Sequence, residues 1–397
     1  MIIEKQVSEL IVGHYIVDIK QQESKLKLAS PNHIKSGAVI NNLKHKGVIS
    51  VLIDDEKTAY AESETPKEAI VKEAPSQLSS NEVTPEKLLI AKEIFNESKA
   101  IQKKVFNDAK DGSELDLEPI CEVTNKSVDA IFDSPDSLAC IVNIRHKDEY
   151  LLEHSISVSI YLTIFACYLN INKATTQEMA LGAFLHDVGK IMVPDEILNK
   201  PAKLTDAEFY IMKTHANHTI DIFEKTQGIS RLSYEIAAYH HEKLDGTGYP
   251  LQLKADKINK YCRMMNICDI FDALTANRCY KDGFSRSKAF SILRSLAKDN
   301  FHLDSELVEH FIDAIGAYPI GSLVLLKSNK IAIVERKNTV VPLLPGVRSF
   351  YNCDKNEFLK SEEIDLSISE DVIVKGVRAS DFNLDMEEVI ESLIKQT

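Results

Sequence analysis

No two of the seven cysteines stand at the two-residue spacing of a zinc knuckle or a redox dithiol; they fall at 121, 140, 167, 262, 268, 279 and 353. That scatter argues against a cysteine-built metal site and reads as reduced, mostly buried thiols. Positive charge is also in short supply, since 47 lysines and arginines face 60 acidic residues and the formal net charge is −13. Such a field repels a long polyanion, so nucleic acid polymers are not expected partners, and an anionic substrate has to be held by local cations or metals. Long hydrophobic runs are missing as well. The longest, Ile156 to Leu169, carries Ser157 and Ser159 and is too short to span a bilayer, which predicts a buried helix and no membrane insertion. The opening residues Met1-Ile2-Ile3-Glu4-Lys5 lack the basic segment and apolar stretch of a secretory signal, so a cytoplasmic location is expected.

With 397 residues, the chain exceeds the usual single-domain size, and two or three domains are expected. Residues 1–54 hold short apolar runs, Ile11-Val12, Tyr15-Ile16-Val17 and Val48 to Ile53, broken by Gly13, Pro31, Gly37 and Gly47, which predicts a small strand-rich module. Residues 55–85 are acidic and serine-rich, with Pro66, Pro75 and Pro85, as in a linker. From Thr84-Pro85, an N-cap followed by a first-turn proline, helical spacing dominates to about residue 318. Within it Thr205-Asp206-Ala207-Glu208 forms a capping box, and Phe209, Met212, Ala216 and Phe223 are expected to give the following helix one apolar face. After Tyr318-Pro319 the texture changes to strand-like runs at Leu323–Leu326, Ile331–Val334 and Val372–Val374, with a final helix from Met386 to Ile394. The fold class expected is mainly α, with a β-containing extension over 319–397.

The chemistry concentrates in the helical region. A lone histidine is more often structural than a ligand, but His154, His186-Asp187, His215, His240-His241 and Asp269 recur at intervals of about one helical hairpin, a layout that can bring several helices to one point. Imidazole and carboxylate without thiolate suit iron, manganese, zinc or nickel, and seven such groups exceed one ordinary site, so two metals are implied. Asp187 is the bridging candidate because it stands beside His186 at the end of an apolar helix, Met179 to Leu185. Two close metals activate a water and clamp a phosphoryl group.

Leu185-His186-Asp187-Val188-Gly189-Lys190, together with His240-His241-Glu242-Lys243-Leu244-Asp245-Gly246-Thr247-Gly248-Tyr249-Pro250, resembles the HD-GYP family of cyclic dinucleotide phosphodiesterases, over about residues 145–318. The long second motif is specific, whereas the His-Asp pair alone is weak evidence. The resemblance implies a helical HD-type bundle as the catalytic region at 86–318 and two divalent ions, iron or manganese ahead of nickel or zinc. One ion would be held by His154, His186, Asp187 and Asp269, the other by Asp187, His215, His240 and His241. It implies that Lys190, one turn beyond His186, contacts the scissile phosphate or protonates the leaving oxygen; a solvated lysine is the plain alternative. Substrate contacts are implied at Tyr249, Asp272, Arg278 and Lys281, with Gly246 and Gly248 allowing a tight loop and close ligand approach.

Two departures from the family pattern stand out. Cys279 occupies a position where proline is common, and Tyr150 stands where some members carry an additional metal-binding glutamate, which favours two metals over three. Glu242 and Asp245 are equally readable as acceptors orienting the histidines or as plain loop acids. The resulting expectation is hydrolysis of cyclic di-GMP to a linear dinucleotide and onward to mononucleotides. Cyclic GMP-AMP is the alternative substrate, and a non-catalytic nucleotide-responsive signalling module is the alternative class. The segment Val7 to Val17 resembles the module that often precedes HD-GYP regions, which points to regulation or to association there, as a homodimer or with a regulatory protein.

Overall fold

The computed structural model describes most of residues 2–54 and then 85–142, 150–276 and 283–384, apart from five single positions after 338. By internal packing the chain divides into two units, Met1–Leu78 and Ser79–Thr397. In the first unit, β1 (Ile2–Gln6), β2 (Tyr15–Gln22), β3 (Asn32–His33) and β4 (Val48–Asp54) form an antiparallel sheet in the order β1-β4-β2-β3. Along β4 the side chains of Val48, Val51 and Ile53 are buried with Ile16, Ile34 and Leu43, while Ile49 is exposed, which gives this small sheet one apolar face. The expected breakers Gly13, Pro31 and Gly37, the run Ile11-Val12, the linker as far as residue 84 and the helix at 386–394 lie outside the described residues.

The second unit is built on helices α1 (Pro85–Lys110), α2 (Leu117–Asp133), α3 (Pro135–Val142), α4 (Tyr150–Tyr168), α5 (Lys173–Leu185) and α6 (Asp195–Leu198). It continues with α7 (Asp206–Lys213), α8 (His215–Lys225), α9 (Arg231–Ala238), α10 (Lys260–Thr275), α11 (Arg286–Lys298) and α12 (Ser305–Ile315). The centre is α4, apolar around its whole circumference, as a helix surrounded by others must be. Its stretch Leu151–Tyr168 is long and apolar enough to cross a membrane, but 78% of it is buried inside the protein, in keeping with the buried helix expected from sequence. Tyr161 packs edge-on to Phe271 of α10 at 5.3 Å, Phe165 to Phe311 of α12 at 5.4 Å, and Phe271 stacks on Phe290 of α11 at 5.4 Å. Each buried ring contributes roughly 1.5–3 kcal/mol by leaving water, so this aromatic core holds the frame on which polar groups can be buried. Because His154 lies two turns before Tyr161 on the same face of α4, the contact that seats Tyr161 on α10 also brings His154 to α10.

Thr205 and Glu208 form the expected capping box: Thr205 Oγ1 accepts from Glu208 N at 3.3 Å and Glu208 Oε2 accepts from Thr205 N at 2.7 Å. The single helix with one apolar face expected beyond it is corrected. The Thr214 hydroxyl donates to Ile211 O at 2.7 Å and His215 Nδ1 to Met212 O at 2.7 Å, side-chain bonds onto the last carbonyls of α7, which ends there. Ala216 and Phe223 on α8 are buried as expected, but Phe209 on α7 is 49% exposed.

Strands β5 (Leu323–Leu326), β6 (Lys330–Arg336), β7 (Gly346–Asn352), β8 (Glu357–Asp365) and β9 (Ile373–Val377) form an antiparallel sheet ordered β8-β7-β6-β5-β9. Both faces are packed: Ile331 and Ile333 join Phe350 on one side, and Ala332 and Val334 join Val324 and Val347 on the other. β8 escaped sequence reading because it is an edge strand, mostly exposed, whose residues Glu357, Lys360, Glu362 and Glu363 erase the alternation. Beyond β6, Lys337 forms an ion pair with the buried Asp136 of α3 at 2.6 Å, tying the sheet to the helices.

Hydrogen bonds from Lys200 and Thr205 lower the Glu208 carboxyl to about 2 from an ordinary 4.5. Its folded pKa is depressed, so the stability it contributes is present above about pH 4.5 and is lost as pH falls toward 2. The difference in melting temperature between wild type and Glu208→Gln is expected at pH 7 and should vanish near pH 2; a pH-independent difference would show that the carboxylate charge is irrelevant.

Candidate metal centre

Three histidines of the cluster sit at helix ends, where backbone carbonyls lack intrahelical partners. His186 follows α5 and donates Nδ1–H to Ala183 O at 2.7 Å; His215 follows α7 and donates to Met212 O at 2.7 Å; His240 follows α9 and donates to Ala237 O at 2.6 Å. In each case the acceptor lies three residues back. A carbonyl only accepts, so Nδ1 carries the proton and Nε2 is left as a bare lone pair facing inward. His154, inside α4, uses a carboxylate instead: its Nδ1 meets Asp272 Oδ2 at 2.7 Å.

The inward nitrogens converge on Asp187. Oδ2 of Asp187 lies 3.5 Å from His154 Nε2 and 3.3 Å from His186 Nε2, while Oδ1 lies 3.5 Å from His215 Nε2 and 3.7 Å from His240 Nε2. Asp269 Oδ1 is 3.0 Å from His154 Nε2, and its Oδ2 is 3.7 Å from His241 Nδ1. The donors therefore fall into two groups, His154, His186 and Asp269 on one side and Asp187, His215, His240 and His241 on the other, each with its ligand atoms within 4.8 Å of one another. Ligand atoms about 2.0–2.2 Å from one ion are themselves separated by about 3–4 Å, which is the spacing found here.

The electrostatics fit cations. His186 Nε2 and Asp187 Oδ1 are buried without a hydrogen-bond partner, and such orphans cost about 1–3 kcal/mol each unless something binds them. Burial lowers the pKa of His186, His215 (to about 3) and His241, so these imidazoles are neutral. Burial opposes ionisation of Asp187 and Asp269, but the Lys190 ammonium beside Asp187 and the hydrogen bond from the protonated His154 to Asp269 favour the carboxylates, and both lie well below the usual range. His154 is the exception: burial lowers it, yet Asp269 and Asp272 together raise it to about 9, and a metal at Nε2 would take the place of that proton. Neutral imidazoles and ionised carboxylates without thiolate are the donor set of a hard-to-borderline divalent metal. All seven metal-ligand residues expected from sequence are thus brought together.

The other expected residues divide. Lys190 places its ammonium on Asp187 Oδ2 and is only 18% exposed. The Tyr249 ring lies 4.6 Å from that of His241, and burial followed by the charges of Asp269 and Asp187 pushes its phenol pKa up. Gly246 adopts φ +83°, as a tight turn requires, but a Cβ on Gly248 would come within 2.4 Å of Lys243 N; its smallness serves the chain's approach to itself rather than to a ligand. Asp272 is a correction. Fully buried and bonded to His154, it orients that imidazole and offers no face to substrate. Arg278 and Lys281 lie outside the described residues, as does Cys279.

Neither Glu242 nor Asp245 orients a histidine of the cluster; the histidine that Asp245 faces is His302, at 3.5 Å. Glu242 accepts from Leu251 N at 2.6 Å and Leu253 N at 2.8 Å, fastening the loop that carries Tyr249, while Asp245 accepts from Thr247 N at 2.9 Å. Sequence reading also missed Thr219, whose hydroxyl donates to His186 O at 3.0 Å and accepts from Gly189 N at 3.1 Å. Its only signal is its position one helical turn after His215 on α8. It clamps the dyad turn to α8 where a Cβ on Gly189 would meet His215 O at 2.2 Å.

Two variants check this architecture. Asp272→Asn should lower metal affinity about 10–100-fold while the fold persists, measured by chelator competition; unchanged affinity would remove its orienting role. Gly189→Ala should destabilise by about 1–3 kcal/mol or prevent folding, read by denaturant unfolding.

Residues 139–307 match the HD domain family, and residues 2–120 match a domain of unknown function, DUF3391. A protein from Pseudomonas aeruginosa named cyclic di-GMP phosphodiesterase is 32% identical over 258 residues, covering 65% of this chain and 62% of that protein. Vibrio cholerae proteins named cyclic di-GMP phosphodiesterase and 3'3'-cGAMP-specific phosphodiesterase 3 are 40% and 36% identical, over 40% and 46% of this chain and 34% and 40% of their own lengths. The chain thus spans less than two thirds of each of these relatives. A solved HD-GYP-type protein from Bdellovibrio bacteriovorus shares the fold, with a TM-score of 0.50, 18% identity, and coverage of 79% of this chain and 99% of that one. The two motifs and all seven expected ligands fall inside the HD domain match, and over this region the chain is similar to the HD domain family and to proteins named cyclic di-GMP phosphodiesterases.

Proposed function

We propose that the protein hydrolyses a phosphodiester of a cyclic dinucleotide, cyclic di-GMP foremost, to the linear dinucleotide and onward to mononucleotides. The observation that carries this reading is Asp187, which turns one carboxylate oxygen toward His154 and His186 and the other toward His215 and His240. A carboxylate so placed would bridge two divalent ions, iron or manganese ahead of nickel or zinc. When bound, such a pair supplies an activated water and positive charge for the phosphoryl oxygens. The relatives named for cyclic di-GMP hydrolysis support the substrate class.

The chain's own groups would do the rest. Lys190, in contact with Asp187, would swing its ammonium to the scissile phosphate and hand a proton to the leaving oxygen. Tyr249, kept a phenol by burial and by the nearby carboxylates, would donate its hydroxyl to a phosphate oxygen and offer its ring to a base. Arg278 and Lys281 are assigned to guanine-edge and phosphate contacts on the family resemblance. A second substrate, cyclic GMP-AMP, is favoured by one observation, the 36% identity to a protein named as specific for it.

Incubating metal-loaded protein with each dinucleotide and separating the products tests both readings. Cyclic di-GMP is expected to turn over faster, and Asp187→Ala should reduce turnover on the order of a thousandfold or more. Hydrolysis of neither substrate under iron, manganese or nickel loading would sink the proposal. Residues 1–54 are assigned a regulatory or self-association role beside a catalytic region at 86–318 and an extension at 319–397. Deletion of residues 1–80 should therefore change activity or oligomeric state, measured by turnover and sedimentation.

A further inference from the structure

Helix α7 breaks a common rule of soluble helices, since none of its residues is buried although it carries Phe209, Tyr210 and Ile211 in succession. Their exposures are 49%, 70% and 38%. Apolar surface left open on one short helix beside a polar site is the usual mark of a ligand surface. At its centre stands Lys213. The ammonium lies 5.5 Å from the Phe209 ring centre, 5.8 Å from Tyr210 and 5.8 Å from Tyr249. Among the described residues no carboxylate pairs with Lys213, although the chain holds 60 acidic side chains. A half-buried cation whose neighbours are ring faces keeps its charge available for an anion.

The location of this cation decides which anion. Tyr249 is shared: one neighbour of its ring is Lys213, and another is the ring of His241, 4.6 Å away in the metal centre. Lys213 is therefore one aromatic ring removed from the ligands around Asp187. A cyclic dinucleotide has two phosphates and two bases, and with one phosphate at the metal centre the other must be held outside it.

We propose that the exposed aromatic face of α7, centred on Lys213, is an accessory subsite that takes the second phosphate and stacks one purine of the substrate. This rests on the cyclic dinucleotide reading. Lys213 meets the non-scissile phosphate, and the Tyr210 ring offers its open face to a base, since stacking on an exposed ring is sequence-tolerant and needs no hydrogen-bond code. Charge and shape both match: the occupant is anionic and carries flat π-systems, while the face is cationic and aromatic.

The test is equilibrium binding of cyclic di-GMP to the full-length, metal-loaded protein at low and high salt, with melting temperature and metal content measured for every variant. Lys213→Met is expected to weaken binding about tenfold and to reduce its salt dependence, and Lys213→Arg should bind within about threefold of wild type. Tyr210→Ala should weaken binding about fivefold. Binding by Lys213→Met within twofold of wild type overturns the subsite. So does a loss shared equally by Lys213→Met and Lys213→Arg with lowered melting temperature or metal content, because that marks a structural role. Wild-type protein that binds without hydrolysing refutes the phosphodiesterase reading, while the affinity ratios still decide the subsite; wild-type protein that does neither overturns both.

Discussion

One hydrogen bond, made three times, sets the centre of this protein: a histidine Nδ1–H onto the backbone carbonyl three residues earlier, at His186, His215 and His240. Each bond uses a carbonyl that the end of a helix leaves without a partner, so the local backbone fixes both the ring orientation and the tautomer. The free Nε2 then points away from the helix end. Because α5, α7 and α9 end at one place, three lone pairs meet around Asp187.

Such a gathering is costly without a partner. A buried carboxylate and its orphaned neighbours cost several kcal/mol when taken out of water, more than the roughly 1 kcal/mol each capping bond returns. The difference is carried by the apolar frame, where Tyr161, Phe165, Phe271, Phe290 and Phe311 bind α4 to α10, α11 and α12. Packing therefore holds the polar groups in a geometry they would not adopt alone, and divalent cations are the chemistry that relieves the cost.

Around this centre the supporting contacts are divided among residues whose types reveal little. Asp272 is spent on His154, Thr219 on the dyad turn and Glu242 on the loop of Tyr249. A carboxylate or hydroxyl in a sequence can face substrate, metal, backbone or solvent. Which one it faces depends on the neighbouring helix, and that is why Asp272 and Glu242 were open to other readings. The exposed face of α7 has the same origin: Thr214 and His215 close the helix with side-chain bonds to its last turn, and Phe209 on that short helix is left 49% exposed.

The sequence by itself determined the candidate ligand types, their distribution over several helices and helix ends, the motifs and the buried character of α4, because these follow from residue chemistry, spacing and periodicity within single elements. It determined the capping box at Thr205 and the strands at 323–326 and 331–334 for the same reason. Tertiary structure alone decided that Asp187 faces both halves of the cluster, that Asp272 orients His154, that Gly248 serves the backbone and that β8 completes a sheet as its edge. These depend on contacts between elements distant in sequence, where distance and direction, rather than residue type, select the partner.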